Sequence, residues 1–172
     1  LGTHVGPTHG HQTHRTVDIR FRVLNALFGH AGIEWNILEA TPDELNVLKD
    51  YIAFYKKYRH LIHSGNIARA NVGNAYLYGT IAPDKSEALF TYMQLATADG
   101  FLSKSAQFAG LDPKRTYRVS VIEALSSNDL IQRANPGWWP QIAISGAELA
   151  TFGLEIPGLR PQQGLLFQLS TI

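Results

Sequence analysis

The 172-residue chain reads as a mixed fold, the end of a repeated β/α unit followed by an all-β antiparallel sandwich. Three observations predict it. A short apolar start, Leu1 to Val5, runs into a His/Gly/Thr/Pro loop, then a helix-like stretch, then a second apolar segment from Phe28 to Trp35. That order is strand, loop, helix, strand. A long capped amphipathic segment comes next. From Asn66 onward the chain breaks into short apolar or alternating runs separated by Gly, Pro, Asn and Asp clusters, the pattern of many antiparallel strands. There is no initiator Met and no signal-peptide pattern, so the opening is expected to continue from preceding sequence.

The first helix is expected within Thr16–Phe28, where Val17, Phe21, Leu24 and Leu27 or Phe28 mark one apolar face. Gly29 and Gly32 break it before Ile33 and Trp35. The second helix is the clearest element. Thr41 and Glu44 form a capping box, and Pro42 takes the first helical position, where a missing N–H costs nothing. Leu45, Leu48, Ile52, Tyr55 and Leu61 or Ile62 make its apolar stripe. Lys56, Lys57, Arg59, His60 and His63 gather near its C-terminal end, where the helix dipole favours cations, and Gly65 is a natural stop. Strands are expected at Tyr76–Ile81, Ala88–Ala96, Tyr117–Ile122, Gln141–Ile144 and Gly164–Leu169. Turns fall at Pro83-Asp84-Lys85-Ser86 and Leu111-Asp112-Pro113-Lys114, where Pro fixes φ and Asp bonds its own backbone. Ser145–Phe152 reads as a short helical turn or a Gly-rich excursion before the last strand.

Hydrophobic residues make up 45% of the chain and charged residues 17%, a low share that suggests surface covered by a partner or by further sequence. A net charge of +1 gives no electrostatic case for nucleic acid or membrane binding. No apolar run is long enough to span a bilayer. There is no Cys, so no disulfide staples the fold, which fits a cytoplasmic location.

Several short motifs carry a resemblance: Gly2-Thr3-His4-Val5, His11-x-Thr13-x-Arg15, and Ala26-Leu27-Phe28-Gly29-His30-Ala31-Gly32-Ile33-Glu34-Trp35. It continues through Tyr55-Lys56-Lys57-Tyr58-Arg59, Gly110-Leu111-Asp112-Pro113 and Gly153-Leu154-Glu155-Ile156-Pro157. In this order and spacing they resemble the late barrel region and C-terminal domain of α-galactosidases of glycoside hydrolase family 36, over nearly the whole chain. The resemblance implies that residues 1–64 are the end of a catalytic (β/α)8 barrel and residues 65–172 an antiparallel β-sandwich packed on it. It implies hydrolysis of terminal α-galactosyl groups of melibiose- or raffinose-type oligosaccharides, with retention through a glycosyl-aspartate intermediate. It also implies an inert fragment. The family's catalytic aspartates belong to a Lys-x-Asp and a Ser-Asp-x-x-Asp motif, and neither occurs in this chain, so no residue of it is assigned a catalytic role. His14 stands where the family pattern has a small residue. Raffinose synthases and α-N-acetylgalactosaminidases of the same family remain open as relatives in specificity.

Residues beyond a barrel strand's C-terminal end face the active site. If Leu1–Val5 is the seventh strand, Thr3 and His4 lie near substrate, and His4 either touches the sugar or holds the strand end. Glu34, near the end of the eighth strand, is expected to pair with an Arg, and neither it nor Glu39 is taken as a catalytic carboxylate. His9-x-His11 has a metal-ligand spacing, but Gly6, Pro7 and Gly10 make the segment a loop and Asp18 and Glu34 are the only early acids. No metal and no cofactor is expected. Trp138-Trp139, between Pro136 and Pro140, gives the alternative function, a carbohydrate-binding module. Neighbours on a strand point to opposite faces, so one Trp at most would meet a ligand. A metal-dependent hydrolase is the third reading. Removing the rest of a barrel uncovers apolar faces and strand edges, so a homo-oligomer is expected.

Overall fold

The computed structural model describes residues 1–12, 14–98, 104–131 and 135–172, so Thr13 of the second motif lies outside the described residues. Strand β1 (Gly2–Val5) leads through the His-containing loop to helix α1 (Ile19–Ala26) and strand β2 (His30–Ile33), which pairs parallel with β1. A 3-10 turn at Ile37–Glu39 leads into helix α2 (Pro42–Ser64). Then come β3 (Asn66–Val72), β4 (Ala75–Ile81), β5 (Glu87–Gln94), β6 (Lys104–Ala106), β7 (Thr116–Val121), β8 (Gln141–Ser145), helix α3 (Gly146–Thr151), β9 (Leu154–Ile156) and β10 (Gln163–Thr171). Six strands form one antiparallel sheet in the order β3-β4-β5-β10-β7-β8, and β6 pairs antiparallel with β9 as a small second layer.

The central strands β5 and β10 are buried on both faces, so they read as near-continuous apolar runs rather than as alternation. Ala88, Phe90 and Tyr92 with Leu165, Phe167 and Leu169 point into a core closed by Ala106, Phe108, Leu149, Leu154 and Ile156. Leu89, Met93 and Leu166 point the other way, against Val23, Leu24 and Leu27 of the α1 segment and Leu61 and Ile62 of α2. Each such Leu or Phe, fully buried, contributes about 1.5–3 kcal/mol. The sheet thus serves two cores at once, and the helices that carry β1 and β2 are seated on it.

Both helices form where expected, but their buried faces are rotated. Asp18 caps α1, accepting from the Arg20 amide at 2.8 Å, and this sets the phase. Ile19, Val23, Leu24 and Ala26 are buried, whereas Val17 and Phe21 are half-buried. Helix α2 has the capping box of Thr41 and Glu44. Its buried face is Val47, Leu48, Tyr51, Tyr58, Leu61 and Ile62, while Leu45 and Ile52 are 44% and 37% exposed. The helix leans on the sheet and α1 from one side only, and those two residues lie beyond the contact.

Gly65 ends α2 in an extended conformation, φ −76°, so it is not a left-handed cap. Space is what it supplies. A Cβ there would collide with the Thr80 hydroxyl and stand 2.7 Å from the Leu61 carbonyl oxygen. The two Asp turns form as expected, the Ser86 and Lys114 amides donating to Asp84 and Asp112 at 3.0 Å.

Candidate functional site

The parallel pairing puts Gly2 beside His30, Thr3 beside Ala31, His4 beside Gly32 and Val5 beside Ile33. Side chains alternate along a strand, so Thr3 and His4 point to opposite faces. Thr3 is turned toward the helices. Its hydroxyl donates to the Ala26 carbonyl of α1 at 2.7 Å, and its methyl fills the space above Gly29. Its polar atom is engaged in holding β1 to α1. His4 is on the open face. Its Nδ1 lies 3.2 Å from Glu34 Oε2, so Glu34 pairs with a histidine on the neighbouring strand rather than with an Arg. Gly32 lies under the His4 ring, where a Cβ would come within 2.7 Å of His4 Cδ2.

Behind the strand ends lies a polar hub that sequence reasoning missed. Arg22 on α1 donates to the Gly6 carbonyl, to Thr8 Oγ1 at 2.9 Å and to Glu44 Oε1 at 2.6 Å. Its guanidinium also stands 5.0 Å from the Trp35 ring centroid. Glu44 receives the Thr8 hydroxyl on the same oxygen and the Thr41 amide on the other, at 2.9 Å. Burial alone would push the Glu44 carboxyl up; the hydrogen bonds from Thr8, Thr41 and Arg22 outweigh it and hold the group below its ordinary value. One buried ion pair thereby ties the loop after β1, the loop after β2 and the start of α2 together. The only sequence signal was an Arg within an apolar helix and a cap Glu, 22 positions apart.

His9 and His14 lie in that loop with ring centroids 6.0 Å apart, and His9 Nδ1 is 3.5 Å from Thr16 Oγ1. His14 takes the left-handed conformation, φ 53°. His11 is exposed. Among the described residues no group of three or more His, Cys, Asp or Glu could hold a metal ion. Glu39 is exposed and accepts from Asn36 Nδ2 at 2.8 Å.

Trp138 and Trp139 occupy the turn before β8, not a strand, which corrects the opposite-faces expectation. Their ring centroids stand 5.7 Å apart, tilted at 45°. The Trp138 N–H donates to the Glu155 carbonyl at 2.9 Å and the Trp139 N–H to Glu123 Oε1 at 3.0 Å. Both rings pack on the core of the sheet, Trp138 against Phe167. Both indole N–H groups thus have protein partners.

The arrangement is a pair of parallel strands whose C-terminal ends carry polar groups, backed by helices and a β domain. Residues 1–65 match the Melibiase family and residues 75–169 match the glycosyl hydrolase family 36 C-terminal domain. The chain belongs to glycosyl hydrolase family 36. The α-galactosidase of Escherichia coli is 34% identical over 98% of this chain and 25% of its own length. α-Galactosidase AgaA of Geobacillus stearothermophilus is 30% identical over 76% of this chain and 18% of its own length. Among solved structures, the α-galactosidase of Lactobacillus brevis superposes with a TM-score of 0.80 at 26% identity, covering 99% of this chain and 22% of that one. A variant of AgaA in complex with raffinose gives a TM-score of 0.81 at 24% identity, with the same coverage. The chain spans about a quarter or less of the length of these relatives.

Proposed function

We propose that this chain is the C-terminal quarter of a retaining α-galactosidase that removes terminal α-galactosyl groups from raffinose- or melibiose-type oligosaccharides. Residues 1–64 supply the last two barrel strands with their helices, and residues 65–172 supply the β domain on which those helices rest. The observation that carries the reading is the parallel β1–β2 pair in a family 36 chain, with His4 and Glu34 on its open face at the C-terminal strand ends. In this reading His4 faces the sugar, Thr3 holds the strand behind it, and the Arg22–Glu44 pair fixes the rim loops. Retaining hydrolysis needs two carboxyl groups about 5–5.5 Å apart across the glycosidic bond. Neither a Lys-x-Asp nor a Ser-Asp-x-x-Asp motif occurs in this chain, so the chemistry is assigned to carboxylates outside it. The β domain supports the barrel and its assembly into a homo-oligomer. A cytoplasmic location belongs to the same proposal, supported by the lack of Cys. Among the described residues no helix is long and apolar enough to cross a membrane.

The test is hydrolysis of a chromogenic α-galactoside by the full-length enzyme that carries this chain and by the chain alone, with intact mass confirming each sample. Turnover by the full-length enzyme and none by the chain is the expected result. Turnover by material of the chain's own mass would return Glu34, Glu39 and the histidines to candidacy as catalytic groups.

A further inference from the structure

We propose that the cleft between the start of β1 and the strands β3, β4 and β5 seats the stretch of polypeptide that runs into Leu1. The β domain would then grip the barrel at the entry of β1 as well as through α1 and α2. The inference rests on the α-galactosidase reading above, in which the polypeptide continues upstream of Leu1.

The helices cover only part of their side of the large sheet. Side chains alternate along a strand. On β3, Ala68, Ala70 and Val72 turn toward the core closed by β6 and β9, so Ile67, Arg69 and Asn71 turn to the helix side. On β4, Leu77 turns to that core, which sends Tyr76 and Tyr78 to the helix side. Helix α1 packs on β5 and β10, and the chain just after it reaches β4, where Phe28 meets the Tyr78 ring edge-on at 5.0 Å. Helix α2 closes the other end of β4, at Thr80. Beyond Phe28 the face is bare, and Tyr76 and Leu95 are each 48% exposed. A cleft of about 460 Å³ lies there, with Leu1, Phe28, Arg69, Tyr76, Met93 and Leu95 among its walls.

Three features fit a main-chain segment of the same polypeptide. Leu1 forms one wall, and its carbonyl still accepts from the His30 amide at 2.8 Å. The backbone is therefore held in the β1–β2 ladder at the mouth of the cleft. At about 3.3 Å per residue, the next few residues upstream stay in its neighbourhood. A segment tethered so closely has an effective concentration of about millimolar or more, which a free sugar or a second copy would have to outcompete. Arg69 is exposed and has no carboxylate partner among the described residues. An irregular segment carries carbonyl oxygens without partners of their own, and a guanidinium has N–H donors to offer them. Tyr76, Met93 and Leu95 together make an apolar wall, which suits a buried aliphatic or aromatic side chain of that segment.

The experiment uses the full-length enzyme with the photoreactive p-benzoylphenylalanine in place of Tyr76. A second sample carries it in place of Leu95, in case the first does not fold, and circular dichroism checks both. Irradiation and peptide mass spectrometry then identify what the probe touches. Expected is an adduct within one molecule to residues immediately upstream of Leu1, with a yield unchanged by dilution or by added raffinose. An adduct between two molecules, or a yield that falls on dilution, would assign the cleft to a second copy and overturn the proposal. So would a yield suppressed by raffinose, which would make the cleft a sugar site. An adduct to any other segment, or no adduct in either sample, would equally overturn it. A full-length enzyme inactive on α-galactosides would instead sink the functional reading, while the adduct would still decide what lies on the sheet.

Discussion

Arg22 is the residue on which the rim of the site depends. It reaches the loop after β1, the Trp35 ring and the Glu44 carboxylate, with 10% and 12% of the two charged side chains exposed. Removing one partner of a buried pair leaves the other charge without compensation, which costs about 3–5 kcal/mol. Glu44→Gln should therefore destabilise the chain by about 3 kcal/mol in urea unfolding at neutral pH. The pH dependence follows from the direction of the Glu44 shift. Its folded value lies below the ordinary 4.5, so its contribution is complete well above that value and is lost as pH falls through the folded value. Wild type and Glu44→Gln should converge in acid. A gap that stays constant from neutral pH down to acid would rule out the ion pair as its source.

At the scale of elements, the joint between α2 and β3 is closely packed. The Thr80 hydroxyl donates to the Leu61 carbonyl at 3.2 Å across the space that Gly65 leaves open. Gly65→Ala has no dihedral penalty, since φ is ordinary, yet it drives a methyl into backbone oxygens that cannot move. A loss of about 2 kcal/mol or more is expected in thermal or urea unfolding, and an unchanged midpoint would show that the joint yields. The same joint shows what a sequence can and cannot reveal. Gly65 was legible as a stop, but the collision that requires it comes from β4, fifteen residues on. Helix α2 was legible from its capping box, and β5 and β10 from runs that only burial on both faces explains. Strand β3 escaped notice because its inward residues are Ala68, Ala70 and Val72, too small to form an apolar signal, and β6 and β9 have three residues each. The place of His4 near a strand end was legible. Its partner was not, because only the parallel register brings Glu34, thirty residues away, to its side.

The whole molecule is a sheet with two covered faces and one β/α flank left open. Strand β2 pairs with β1, and its other edge has no strand among the described residues. Beside that edge runs a groove of about 350 Å³, lined by Ala31, Ile33, Tyr51, Ile52 and Tyr55. The Tyr51 hydroxyl lies buried next to it with no hydrogen-bond partner among the described residues, and its pKa is raised by burial and by Tyr55. The same flank exposes Ile37 and Leu38, the latter to 90%. An unpaired strand edge beside apolar surface is a template for association, and the low charge of the chain does little to oppose it. Expressed alone, the chain should self-associate, with sedimentation velocity at micromolar concentration showing species above the monomer mass. Ile52→Lys, which places a charge in the groove at a residue already 37% exposed, should shift the distribution toward monomer without lowering helix content. A monomeric wild-type chain would mean that the flank is tolerated in water.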